Sequence, residues 1–103
     1  MAAYVYILAD DRENTLYIGS TVNAERRIKQ HLSAKPPKAD STRIDHAYVA
    51  YTGDIETARL CEAWLIEHNR PPWNSVIPHL QSCISDDIYR LLKSLTFAKW
   101  RRS

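Results

Sequence analysis

Residues 4–8 (Tyr-Val-Tyr-Ile-Leu) carry aromatic and β-branched side chains without a polar break, which predicts a buried strand. Residues 9–15 are polar and acidic and read as a hairpin loop longer than the tight two-residue kind. Apolar character returns at residues 16–19, a second strand that stops at Gly19. A glycine there suits a backbone that must bend or approach another group closely. Asn23 is placed to cap a helix running to about residue 34. Its apolar positions Ala24, Ile28 and Leu32 are four apart and form a stripe that packs on the sheet. Arg27 and His31 share that spacing and border the stripe, where a side chain reaches a cleft. Lys35-Pro36-Pro37 ends the helix and a polar loop runs to about residue 45. Residues 47–51 predict a third strand, and Asp54 caps a helix over 55–68 that Pro71 and Pro72 follow. A last helix begins within residues 82–85 and shows one apolar face through Ile88, Leu91, Leu92 and Leu95.

The chain has 103 residues and therefore reads as one domain. An apolar content of 45% excludes a disordered chain, and no apolar run approaches the length of about 18 residues that a membrane span needs. No signal-peptide pattern is present and Cys61 and Cys83 are too few for a disulfide framework, so a cytoplasmic location is expected. The net charge of +2 implies no partner by itself. Its distribution says more: Arg26, Lys29, Lys35, Lys38 and Arg43 cluster on and after the first helix, a pattern that suits a phosphate-rich partner, although charge alone favours a merely solvated face. Tyr4, Tyr48 and Tyr51 are expected as strand packing, Trp64, Trp73 and Trp100 as packing, and His46, His68 and His79 as surface residues.

One residue breaks the pattern. Ala58, Cys61, Leu65 and Ile66 share one face of the helix over 55–68, and Glu62 lies in the middle of that face. A carboxylate there costs several kcal/mol unless it is paired or holds a metal. Two readings stand: a structural ion pair, with Arg27 as the candidate partner, or a functional carboxylate. No acidic residue lies three or four positions away, so a site on Glu62 points to one cation that keeps several waters, in the manner of Mg²⁺. Phosphodiester hydrolysis needs a base or positioned water, a cation for the developing charge and a polarising metal. Tyr17 or Tyr6, Arg27 and Glu62 supply those residue types.

These residues in this order resemble the GIY-YIG nuclease superfamily. The second triplet is Tyr17-Ile18-Gly19, and the first is Val5-Tyr6-Ile7, with Val5 where the family name has glycine. Residues 19–31 resemble the family's junction and first helix, with its arginine at Arg27 and histidine at His31, and Ala58 to Glu62 followed by Trp73-Asn74 resembles the glutamate helix and closing asparagine. The resemblance spans about residues 4–74 and leaves a helical extension over 75–103 within a single domain. It implies an α+β fold: a three-stranded antiparallel sheet flanked by helices. It also implies one Mg²⁺ (or Mn²⁺) per site on Glu62, phosphate stabilisation by Arg27, and Tyr17 as general base or water positioner assisted by Tyr6 and His31. Asn74 helps hold the site together. A tyrosine pKa near about 10 makes a base role depend on nearby positive charge. The expectation is a metal-dependent DNA endonuclease acting as a monomer with one site, which nicks or cuts single strands. The substrate's strandedness stays open. The competing readings are a catalytically weak nucleic-acid-binding or protein-interaction module on the same fold, and a ribonuclease.

Overall fold

The computed structural model describes residues 2–33 and 40–101. Strands β1 (Tyr4–Ala9) and β2 (Thr15–Thr21) form an antiparallel hairpin in which Tyr6 faces Gly19 and Leu8 faces Tyr17, with a bulge between Leu8 and Ala9. The loop between them is tied by Asp10, whose carboxylate accepts from the Arg12 and Asn14 backbone N–H groups, each at 2.9 Å, and from Asn14 Nδ2 at 3.1 Å. Those bonds hold the Asp10 carboxyl below its usual pKa, Asn14 contributing most. Strand β3 (His46–Tyr51) pairs antiparallel with the other side of β1.

The sheet has a fourth strand. Residues 98–101 (β4, Ala98–Arg101) pair antiparallel with β3, so the order is β2-β1-β3-β4, in place of the three strands expected. Ala98-Lys99-Trp100-Arg101 is short and mixed in character, and its partner lies about fifty residues back in the chain, so no local pattern marks it. The order has a functional consequence: β1 is central and β2 is an edge.

Each face of the sheet is covered differently. Helix α1 (Ala24–Leu32) is capped by Asn23, which accepts from Arg26 N at 3.1 Å, and buries Ile28 with Tyr6, Leu8, Leu16, Ile44 and Ala47. Helices α2 (Ile55–Asn69) and α3 (Ser82–Ser94) cover the opposite face, where Cys61, Ile66 and Ile88 meet Val5, Ile18 and Ala50. Asp54 caps α2 by accepting from Thr57 N at 2.8 Å. Each fully buried Ile or Val contributes about 1.5–3 kcal/mol. Helix α2 ends at Arg70, a non-glycine residue in the left-handed region (φ 46°) whose N–H bonds Ile66 O at 2.8 Å. None of the helices among the described residues is long and apolar enough to cross a membrane.

His46 departs from the expectation of a surface residue: it is 1% exposed. Its Nδ1 lies 2.8 Å from Asp45 Oδ2 and its Nε2 lies 2.9 Å from Glu13 Oε1. Glu13, also in the left-handed region (φ 65°), accepts from Tyr48 OH at 2.7 Å. The strand pattern puts His46 at the start of β3, where its ring faces inward and the loop carboxylates close over it.

Candidate active site

The α1 face of the sheet brings three rings together beside the β2 edge. Tyr6 stands opposite Gly19, and its ring lies over the space that a Cβ on Gly19 would occupy: such an atom would meet the Tyr6 hydroxyl, with Cζ at 2.5 Å and Cε1 at 2.8 Å. Gly19 has no left-handed φ, so glycine is needed here for room. Tyr6 OH reaches His31 Nε2 at 2.8 Å, and ring centroids are 4.9 Å apart for Tyr17–His31, 5.7 Å for Tyr6–His31 and 6.1 Å for Tyr6–Tyr17.

Electrostatics keep both partners of this hydrogen bond neutral. Burial, then the charge of Arg27, pushes the His31 pKa down to about 4, so its imidazole is neutral near pH 7. Burial raises the Tyr6 pKa strongly, Tyr17 adds to the rise, and Arg27 opposes it. Tyr6 is therefore a neutral phenol hydrogen-bonded to a neutral imidazole. Arg27 follows from α1 one turn before His31. The Tyr6 hydroxyl beside it raises its pKa further, and its Nη1 donates to Gln30 Oε1 at 3.0 Å.

Glu62 approaches from the other face. It is half-buried on α2, and Ser20 Oγ, one residue past Gly19, donates to its Oε1 at 3.3 Å. Burial raises the Glu62 pKa; the Ser20 hydroxyl and backbone and the Arg59 charge pull it down. The ion pair with Arg27 is not formed, and among the described residues no cation lies within 4.0 Å of its carboxylate. No group of three His, Cys, Asp or Glu side chains able to hold a metal occurs among the described residues. A single half-buried carboxylate with one oxygen bonded by Ser20 fits a hard cation that keeps most of its water, and does not fit a multidentate zinc site.

Asn74 does not face the ring cluster. Its Oδ1 accepts from Ile18 N at 3.0 Å and its Nδ2 donates to Ile18 O at 2.9 Å, as a neighbouring strand would. Trp73 N donates to Leu16 O at 3.0 Å beside it. The segment thus closes the β2 edge at Leu16 and Ile18 and satisfies otherwise unpaired backbone groups there, and Glu62 meets the Ser20 backbone further along.

The described residues of the basic cluster fall in two places. Arg26 and Lys29 line an exposed cleft on α1 with Asn23, Gln30 and Ser33, and Lys29 pairs with Glu25 at 3.0 Å. Arg43 sits on a 3-10 turn (Ser41–Arg43), 3.9 Å from Asp10 Oδ2 and 5.9 Å above the Trp73 ring. Lys35 and Lys38 lie outside the described residues. Sequence reasoning missed the pairing of Ser20 with Glu62 and the role of Gln30 beside Arg27; the hydroxyl directly after Gly19 was the available signal for the first.

Comparison with protein families finds the GIY-YIG catalytic domain over residues 2–75. Comparisons with curated proteins and with solved structures returned no match.

Proposed function

The chain belongs to the GIY-YIG family of endonucleases, and from that premise we propose that it is a divalent-metal-dependent DNA endonuclease that hydrolyses one phosphodiester at a time at the β2 edge. The observation that carries this reading is the meeting of two faces at one edge. Tyr6, Tyr17 and His31 gather on one side of Gly19, and the unpaired Glu62 reaches Ser20 from the other.

In hydrolysis a water oxygen attacks phosphorus, the bond to the leaving oxygen breaks, and the proton of the water must be accepted. Tyr17 is less buried than Tyr6 and is assigned to orient that water and relay its proton: it takes the water's proton as its own phenolic proton passes to solvent, and solvent protonates the leaving oxygen. Tyr6 is held by His31, keeps its proton, and serves as a donor and as a wall that fixes the position of Tyr17. Arg27 places a permanent charge where negative charge develops on the phosphoryl oxygens. Glu62 would hold Mg²⁺ or Mn²⁺, oriented by Ser20, and the cation when bound would polarise a phosphoryl oxygen. Asn74 keeps β2 in place. Arg26, Lys29, Lys35, Lys38 and Arg43 contact flanking phosphates in this reading. One set of these residues implies a monomer that nicks duplex DNA or cuts single strands. Two free thiols, buried Cys61 and exposed Cys83, suit a reducing cytoplasm.

The test is purified protein against labelled single-stranded, duplex and branched DNA, with Mg²⁺, Mn²⁺ or chelator. The reading expects cleavage of at least one DNA that chelator abolishes. Tight binding without cleavage of any form in either metal contradicts it and favours a binding module.

A further inference from the structure

The start of β2, away from the ring cluster, carries a second cleft, which brings Arg43 together with Arg70. It is lined by Glu13, Asn14, Thr15, Arg43, Asn69 and Arg70 among others, and has a volume of about 460 Å³. Two of its residues are guanidinium groups from distant parts of the chain. Arg43 is held over the Trp73 indole, 5.9 Å from the ring centroid, which fixes a long side chain in advance. Arg70 is exposed and forms no salt bridge or side-chain hydrogen bond among the described residues. It occupies the left-handed position that ends α2, where glycine is the unstrained choice. The Glu13 carboxylate is engaged elsewhere: it accepts from Tyr48 OH at 2.7 Å and lies 2.9 Å from His46 Nε2 and 3.5 Å from Lys99 Nζ. The Asn14 and Asn69 amides add neutral polar groups to the lining.

The placement is as informative as the composition. A smaller cleft lined by Thr21, Asn23, Arg26, Arg27 and Gln30 opens at the other end of the same strand. Seven residues of β2 span roughly 20 Å, about six nucleotide steps of one B-form strand measured along its axis. Tyr17, Gly19 and Ser20 lie between the two ends. Building on the endonuclease reading above, we infer that Arg43 and Arg70 form a second phosphate-binding subsite, which grips the DNA strand about three nucleotides from the bond that is cut. Arg26 holds the strand at one end of β2, next to the scissile phosphate that Arg27 faces, and the Arg43–Arg70 cleft holds it at the other. Two grips on one strand fix its register across the ring cluster.

Arg70→Gly is the informative variant, because it removes the guanidinium and places in the left-handed position the residue that adopts it without strain. Binding of labelled single-stranded and duplex oligonucleotides of graded length is measured by fluorescence anisotropy in chelator, at several salt concentrations, with circular dichroism as the check on folding. The expected result is severalfold weaker binding to strands long enough to span both ends of β2, with the slope of log K against log salt reduced by about one. Arg70→Lys restores the slope, and the shortest oligonucleotides separate wild type from Arg70→Gly least. A folded Arg70→Gly that binds every length with wild-type affinity and slope overturns this subsite while leaving the endonuclease reading intact. Wild-type protein that binds no DNA of any length overturns the endonuclease reading and the subsite with it.

Discussion

Gly19→Ala adds one methyl group at the most crowded point of the site. The new Cβ would stand 2.5 Å from Tyr6 Cζ and 2.8 Å from Cε1, against about 3.5–4.0 Å for a comfortable carbon contact. The ring must therefore withdraw by about 1 Å. It has little freedom to do so, since Tyr6 is 1% exposed, is bonded to His31 at 2.8 Å and packs beside Tyr17. Overpacking of this kind costs about 1–3 kcal/mol. In a domain of about 100 residues each kcal/mol lowers Tm by about 4–8 °C. A displacement of about 1 Å at a reacting centre can lower the rate by about 10²-fold. Urea denaturation and single-turnover DNA cleavage, both below the variant's Tm, measure the two effects separately. The double variant Gly19→Ala/Tyr6→Leu makes room for the methyl group, so it should regain stability but not activity. Wild-type stability and rate in Gly19→Ala alone would refute the reasoning, because the ring would then not need the space that glycine leaves.

Glu62→Gln should retain or gain stability, since burial already raises the Glu62 pKa and its ionised form works against folding at neutral pH, while cleavage is lost; denaturation and cleavage assays on one preparation check both. Arg27→Ala should lose about 10²–10³ in rate with a smaller loss of DNA affinity, whereas Arg26→Ala should weaken binding and flatten its salt dependence; single-turnover rates and titrations at several salt concentrations separate them. The His31 pKa is lowered from 6.5 to about 4, so the unfolded chain binds a proton that the folded one does not in that window. Its contribution to stability is present above pH 6.5 and is lost as pH falls toward 4; urea midpoints at pH 7 and pH 5 should differ more for wild type than for His31→Gln, and equal differences would refute this.

How far the sequence reveals this site depends on how local each signal is. Hairpin, capped helices and the position of Glu62 follow from periods of two and of three to four residues, which neighbouring side chains encode. Glu62 was readable because one carboxylate interrupted an apolar face. Strand β4 was not, because four mixed residues become a strand only when β3 offers its far edge. His46 looked exposed for a similar reason: its burial depends on Glu13 and Asp45, and the Glu13 contact crosses from another strand's loop. Asn74 was legible as part of a family pattern, but its work as a substitute strand on Ile18 needed coordinates. The left-handed backbone of Arg70 carries no sequence mark, since glycine is the residue that usually announces it.

The central claim is that one Glu62-dependent site cuts one strand at a time. Supercoiled plasmid incubated with wild type and with Glu62→Gln, with and without Mg²⁺, and sampled over time tests it most directly. The account predicts open-circular product from wild type only with metal, linear product only later, and no product from Glu62→Gln. Nicking by Glu62→Gln at the wild-type rate, or linear DNA appearing without an open-circular intermediate, would contradict it.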